Sequence, residues 1–253
     1  MKNEKHLLVL TATVIPQIQT GIFRNDPNQR LEDYATSIST LSHQLRKKSV
    51  DIVVAENSGQ IDRIKESVKK LDCRFIQCPT DLLSRNSGIS GGEHEILRYV
   101  GNLLDLTEVD VIWKLTGRLS VKNISSILDE SSGDLRANVF FRQHHSVDSR
   151  FFGMTPEVFR LFTKTKINYS ERYEFDSKSS QQTYKSIEYY LAKFALEIES
   201  RGFIFHSLPY LPIYQGYSAS TGKLLDSRSV RFKTKIANTL RPLIVKGLLG
   251  VNP

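Results

Sequence analysis

His6–Val14, HLLVLTATV, is an unbroken apolar and β-branched run, and Asp51–Ala55, DIVVA, is a second one. Runs that are apolar at every position, not only at alternate ones, belong to strands covered on both faces, as in parallel sheets. Between them, Leu31–Lys48 places Leu31, Tyr34, Ile38, Leu41 and Leu45 at spacings of three and four, the buried stripe of a helix. Strand, helix, strand is the unit from which an α/β domain with parallel early strands is built.

The alternation continues outward. The stretch holding Pro16, Gly21 and Pro27 reads as a loop, Ile61–Leu71 as a helix and Arg74–Gln77 as a third strand before Pro79. Leu82–Gly92 is rich in Ser and Gly and reads as a loop. Ser90-Gly91-Gly92-Glu93 then has the form of a capping box opening a helix over Glu93–Leu104. Val109–Arg118, VDVIWKLTGR, alternates along a strand. Asn138–Arg142 and a segment near Phe151–Met154 are further strands, and Pro156 opens a helix through Phe162. Lys178–Arg201 is expected to be one long helix, followed by a strand at Phe203–Ser207.

The chain has 253 residues, 40% hydrophobic and 25% charged, with a mean hydropathy of −0.30. These values exclude a wholly disordered or collagen-like protein, and no stretch reaches the roughly 18 apolar residues of a spanning helix. Thirty-five Lys and Arg against 27 acids give a net charge of +8 and a pI near 9.4, which points to an anionic partner. Most of that excess is local. From Lys223 to Lys246 stand Lys223, Arg228, Arg231, Lys233, Lys235, Arg241 and Lys246 against Asp226 alone, which leaves about +2 for residues 1–222. The chain therefore divides into a body, 1–222, and a basic tail, 223–253. In Arg231–Leu249, Phe232, Ile236, Leu240, Leu243, Ile244 and Leu248 share one helical face amid cations, the pattern of a helix lying on an anionic membrane surface. Pro242 divides it. Few aromatics interleave the cations, which argues against a nucleic-acid partner.

Cys73 and Cys78 are too few for a disulfide scaffold and lack metal-ligand spacing, so they are expected to be free thiols in a reducing compartment. Lys2 and Lys5 precede an apolar run, but Glu4 lies among them, the run is short and no cleavage site follows. A first strand in a cytoplasmic protein is the expectation, not a signal peptide.

In parallel sheets, ligands sit beyond the carboxyl ends of the strands. That rule selects Thr11–Arg24, Glu56–Gly59, the loop into Glu93, and Lys114–Arg118. Strand alternation puts Lys114, Thr116 and Arg118 on one face, opposite Val111, Trp113 and Leu115; two cations and a hydroxyl so placed suit a diphosphate. Amides of Gly91 and Gly92 at a helix start would add phosphate donors. Glu93 itself reads as the capping residue or as a ligand for a sugar hydroxyl. His144 and His145 are adjacent, so on a strand they point opposite ways and predict no metal site.

LLVLTATV, Asp33-Tyr34 in the first helix, IVVAENSG, the Gly-Gly-Glu helix start and WKLTGR together resemble small bacterial glycosyltransferases that build lipopolysaccharide and capsule. The resemblance covers roughly Leu7–Gly153. It implies a GT-A-like (Rossmann-like) α/β fold with a mostly parallel sheet, a nucleotide-sugar donor, and a lipid-linked or surface-polysaccharide acceptor met at the inner membrane face. It would place Thr11, Thr13, Glu56, Asn57 and Ser58 around the nucleoside. Arg24, Gly92, Glu93, Lys114, Thr116 and Arg118 would stand near phosphates and sugar. Asp148 in DSRFF, Asp176 and Glu188 are the candidate carboxylates on the acceptor side, and His206 and Tyr214 would close the pocket.

One departure from that family's pattern matters. Most GT-A enzymes carry an Asp-x-Asp at the end of a central strand to hold a divalent metal, and here WKLTGR occupies that place. The expectation is that Lys114 and Arg118 neutralise the leaving diphosphate without a metal cofactor. Two rival readings stand beside this one. A sugar nucleotidyltransferase shares the α/β layout, but its usual Gly-rich, basic loop after the first strand is poorly matched by TATVIPQIQTG. A non-enzymatic basic adaptor would explain the charge and leave WKLTGR without a role.

Overall fold

The computed structural model describes residues 4–16, 23–69, 71–79, 83–140, 146–165, 167, 172–173, 183–184, 187–218 and 221–225. The sequence 226–253, which holds most of the basic tail, and Asp176 lie outside them.

β1 (His6–Ala12) is buried along its whole length. It pairs in parallel with β2 (Val50–Glu56) on one side and β4 (Val111–Thr116) on the other, and β3 (Arg74–Gln77) continues the parallel set beyond β2. On the far side of β4 come β7 (Ser146–Met154), β6 (Leu135–Phe140) and β10 (Phe205–Ser207), giving the order β10-β6-β7-β4-β1-β2-β3. β7 alone runs against its neighbours; every other pair in this seven-stranded sheet is parallel. β5 (Ser120–Val121) with β11 (Tyr214–Gln215), and β8 (Arg172–Tyr173) with β9 (Thr183–Tyr184), form two small antiparallel pairs.

Helices cover both faces, as the all-apolar strands require. α1 (Pro27–Leu45), α2 (Ile61–Ser67) and α4 (Ile124–Glu130) pack on the face that presents Leu8, Leu10, Val54, Trp113 and Leu115. α3 (Leu83–Leu103), α5 (Pro156–Lys164) and α6 (Ile187–Ser200) cover the face with Leu7, Val9, Val53, Ile112 and Phe152. None of the described helices is long and apolar enough to cross a membrane.

Several elements depart from the sequence expectations. α1 starts at Pro27, because Asp26 caps it by accepting the Gln29 amide at 2.8 Å and Pro27 fits the first helical position. α3 starts at Leu83, so Ser90 lies inside a helix and the capping box at Glu93 does not exist. Gly91 and Gly92 are buried within that helix, where their amides belong to its own ladder and are not offered to phosphate. α2 stops at Ser67, short of Leu71. Thr183–Tyr184 is a strand, not the first part of a helix from Lys178. The strand read near Phe151–Met154 begins earlier, at Ser146, so Asp148 stands within it as part of β7.

Candidate active site

The carboxyl ends of β1, β2 and β4 lie on one edge of the sheet, with the start of antiparallel β7 beside them. β7 is irregular there. Ala137 pairs with Phe152 and Val139 with Val147, so 148–151 face Asn138 alone. A bulge of this kind re-aims side chains and is common beside functional sites; here it carries Asp148 and Ser149, both buried, and the half-buried Arg150.

The centre of the cleft on the α3 face is a buried ion pair. The Lys114 side chain is fully buried, and its ammonium lies 2.5 Å from Glu93 Oε1. It also donates to the Ser149 carbonyl at 2.5 Å and to Thr116 Oγ1 at 3.1 Å. Three acceptors use all three ammonium protons. Glu93 Oε1 further accepts from Thr11 Oγ1 at 3.0 Å and Thr116 Oγ1 at 3.4 Å. Glu93 is therefore the counter-ion of Lys114, not a cap. Beyond Lys114, Ser149 Oγ donates to Glu188 Oε1 at 2.5 Å, and Glu188 stands in the first turn of α6 at intermediate exposure.

Arg118 does not share this face. β4 ends at Thr116, and the turn that follows breaks the two-residue alternation. Gly117 donates to the Thr11 carbonyl at 2.9 Å; a Cβ there would stand 2.8 Å from that oxygen and 3.2 Å from the Tyr34 ring, so the close passage needs glycine. Arg118 emerges on the α1 side, donating to the Tyr217 carbonyl at 3.0 Å and lying near Tyr34, Arg30 and Asp33. Burial lowers its pKa from the ordinary arginine value. The expected trio of Lys114, Thr116 and Arg118 is thus split between the two faces.

The residues after β1 and β2 bind mainly to one another. The Thr13 amide donates to Tyr34 Oη at 2.8 Å, the Val14 amide to Glu56 Oε1 at 3.2 Å and the Ile15 amide to Ser58 Oγ at 3.0 Å. Thr13 Oγ1 donates to Asn57 Oδ1 at 2.7 Å. Glu56, wholly buried, also accepts the Ser58 and Gln60 amides, the Ser58 hydroxyl and Gln77 Nε2. Asn57 reaches further. With Cys78, Pro79, Glu95, Ile96, Arg98, Tyr99 and Asn102 it lines a pocket of about 200 Å³ at the carboxyl ends of β2 and β3. Burial pushes the Cys78 thiol up to about 12, so it is an inert wall of that pocket.

Arg24 forms a bidentate pair with Asp33 at 2.7 and 2.8 Å and stacks over the Tyr217 ring at 4.0 Å. Asp148 is equally engaged. It accepts from Arg150 Nε and Nη2, both at 2.8 Å, from the Arg150 amide at 3.0 Å and from Tyr214 Oη at 2.9 Å. Burial and then the Asp148 charge hold the Tyr214 phenol well above its ordinary pKa, while Asp148 raises that of Arg150 against the effect of burial. Asp148 therefore holds Arg150 and Tyr214 in place, and its oxygens are not turned to an acceptor. His206 stands in β10, paired with Arg136 at the start of β6 and beside Gly133, away from the carboxyl ends of β1, β2 and β4, and does not close the cleft. Tyr214 does.

Arg30, Asp33, Tyr34, Ser149 and Tyr217 join the site without having been singled out as site residues. For Arg30 a signal existed: it extends the stripe Tyr34, Ile38, Leu41, Leu45 back by one turn, and a cation on a buried stripe must meet acceptors inside. Ser149 depends on a bulge, which leaves no pattern in the sequence.

Among the described residues no group of three or more His, Cys, Asp or Glu could hold a metal ion. Glu93 of α3, beside the end of β4, already carries an ammonium at 2.5 Å.

No family model and no curated protein sequence matches this chain. Among solved structures it is similar to the inositol-1-phosphate CTP transferase from T. maritima, with a TM-score of 0.52 and 13% identity over 93% of this chain and 97% of that one. Weaker likenesses include galactosyltransferase LgtC with donor and acceptor sugar analogs (TM-score 0.43, 12% identity, 61% of this chain). A putative nucleotide-diphospho-sugar transferase from Desulfovibrio desulfuricans G20 gives a TM-score of 0.46 at 9% identity, over 81% of this chain and 80% of that one. The chain spans 59% of the length of the galactosyltransferase. The fold is the expected GT-A-like α/β fold with a mostly parallel central sheet, which this chain shares with that CTP transferase.

Proposed function

We propose that the protein is a glycosyltransferase that moves a sugar from a nucleotide donor to a glycan hydroxyl. One observation carries this over nucleotidyl transfer. A nucleotidyltransferase needs free backbone amides after its first strand to cradle a triphosphate; here the amides of Thr13, Val14 and Ile15 are all taken by side chains of the protein itself. Thr13–Ile15 form a fixed wall, suited to flank a nucleoside.

In this reading the nucleobase enters the pocket lined by Asn57, Pro79 and Tyr99. Glu188 is the acid/base for the acceptor hydroxyl: one oxygen is oriented by Ser149, and the group has the solvent access that Asp148 lacks. Lys114 with Glu93 fixes the β4–β7 edge on which Ser149 and Glu188 are placed, and the reaction proceeds without a divalent metal. The acceptor is a lipid-linked or surface-polysaccharide glycan of the lipopolysaccharide or capsule type. The basic tail holds the enzyme against the inner face of the cytoplasmic membrane.

The deciding assay measures products. Incubation with a panel of UDP-, GDP-, CMP- and dTDP-sugars in excess chelator is expected to release nucleotide, faster with glycan acceptors. Release of pyrophosphate from a nucleoside triphosphate and a sugar phosphate would instead establish nucleotidyl transfer. Removing residues 226–253 is expected to abolish sedimentation with vesicles containing anionic lipid while turnover on a soluble acceptor persists. An adaptor would lose its whole function with the tail.

A further inference from the structure

We propose that Arg24, Arg30 and Arg118 form an anion clamp on the α1 side of the cleft that receives the diphosphate of the donor; this rests on the sugar-nucleotide reading above.

The three guanidiniums are joined through shared partners. Tyr217 carries Arg24 over its ring at 4.0 Å and accepts from Arg118 Nη1 through its carbonyl at 3.0 Å. Tyr34 accepts from Arg30 Nη2 at 3.3 Å and lies beside Arg118. Arg30 also donates to the carbonyls of Thr13 and Arg24. Asp33 is the acid that pairs with this group among the described residues, and Arg24 takes both its oxygens. Arg24 is the member with a direct ion pair, and the two without one are the buried ones: Arg30 is 5% exposed and Arg118 is 9% exposed.

Their partners are carbonyls and phenols, which satisfy geometry without cancelling charge. A buried cation without a counter-ion is costly to hold. Glu32 acts on Arg24 from a distance. The described residues of the strap, 214–218 and 221–225, contain Lys223 and no acid. Glu56, the other buried acid close by, is bound by amides, a hydroxyl and Gln77 and not by a guanidinium.

An excess of positive charge at the carboxyl end of β1, two residues beyond the end of β4, is where the phosphates of a ligand over this sheet edge would come. Arg24 turns its fork to Asp33 and Arg30 its own to the Thr13 carbonyl, so these two act on the phosphates by charge, while Arg118 has protons beyond the one given to Tyr217. Arg24, at 19% side-chain exposure, is the outer member and the point of first contact. Lys114 cannot serve, since its three protons are already placed.

The test is calorimetric titration of inorganic pyrophosphate, and of UDP, GDP, CDP and dTDP, into the full chain, repeated with Arg24→Gln, Arg118→Gln and the surface control Lys48→Gln. Pyrophosphate and one diphosphate are expected to bind, with affinity falling about tenfold or more in each arginine variant and unchanged in the control. Arg118→Gln removes a buried group, so Arg24→Gln decides the matter if the former does not fold. No binding by the wild type, or wild-type affinity in folded Arg24→Gln, overturns the clamp. Pyrophosphate binding that the arginine variants lose, without turnover of any sugar nucleotide, keeps the clamp and removes the glycosyltransferase reading. Turnover whose KM ignores both variants does the reverse.

Discussion

Glu93 and Lys114 offer a sharp test of the cleft's construction, because removing either one leaves a different residue of the pair stranded. In Glu93→Ala the ammonium keeps the Ser149 carbonyl and Thr116 hydroxyl but loses its counter-charge, and its side chain has no exposure through which to recover water. Breaking a buried pair in this way costs about 3–5 kcal/mol. Lys114→Met strands a carboxylate that is 18% exposed and still accepts from Thr11 and Thr116, so it can partly rehydrate; its cost should be smaller, about 1–3 kcal/mol. The double variant leaves no stranded charge. Its destabilisation should therefore fall short of the sum by about 2 kcal/mol, within the range found for groups in direct contact. Urea unfolding followed by the emission of Trp113, the single tryptophan and fully buried, measures all four corners of this cycle. Costs that add to within about 0.5 kcal/mol would refute the pairing. So would a Glu93→Ala variant no less stable than Lys114→Met.

Three further outcomes follow from other parts of the molecule. His94 is buried, which lowers its pKa from 6.5 to about 4. The unfolded chain thus binds the extra proton first, and stability present above pH 6.5 is lost as pH falls towards 4, by about 3 kcal/mol from this group; urea midpoints across that window should flatten in His94→Gln, and an unchanged slope would exclude His94 as the cause. Gly216 has φ near +116°, and a Cβ there would lie 2.5 Å from the Arg118 carbonyl; Gly216→Ala should cost about 1–3 kcal/mol by thermal melting and weaken anion binding by displacing the strap over Arg118. Glu188→Gln should lose turnover with its melting temperature retained, whereas Asp148→Asn should lose stability first, since Arg150 and Tyr214 both depend on that carboxylate.

The architecture was readable because its signals are local. All-apolar runs gave β1, β2 and β4, and the helical stripe gave α1, since burial on both faces of a sheet or on one face of a helix leaves that mark on the residues themselves. The site was read less well, and each miss has a physical cause. Gly and Ser disfavour helix interiors taken singly, which puts the expected start of α3 late; packing against the sheet outweighs that local cost, and Glu93 becomes a mid-helix counter-ion. Alternation carried past Thr116 puts Lys114 and Arg118 on one face, but the strand stops there. The partners of Asp148 depend on a bulge, which leaves no pattern in a single strand. For α3 and β4 the local rule fails where the chain changes element, which is where a sheet of this kind places its ligand. The two buried arginines divide. Arg30 continues an apolar stripe, so its burial is readable from the sequence. The burial of Arg118 follows from the tight turn at Gly117, whose closeness to Thr11 and Tyr34 belongs to the folded structure alone.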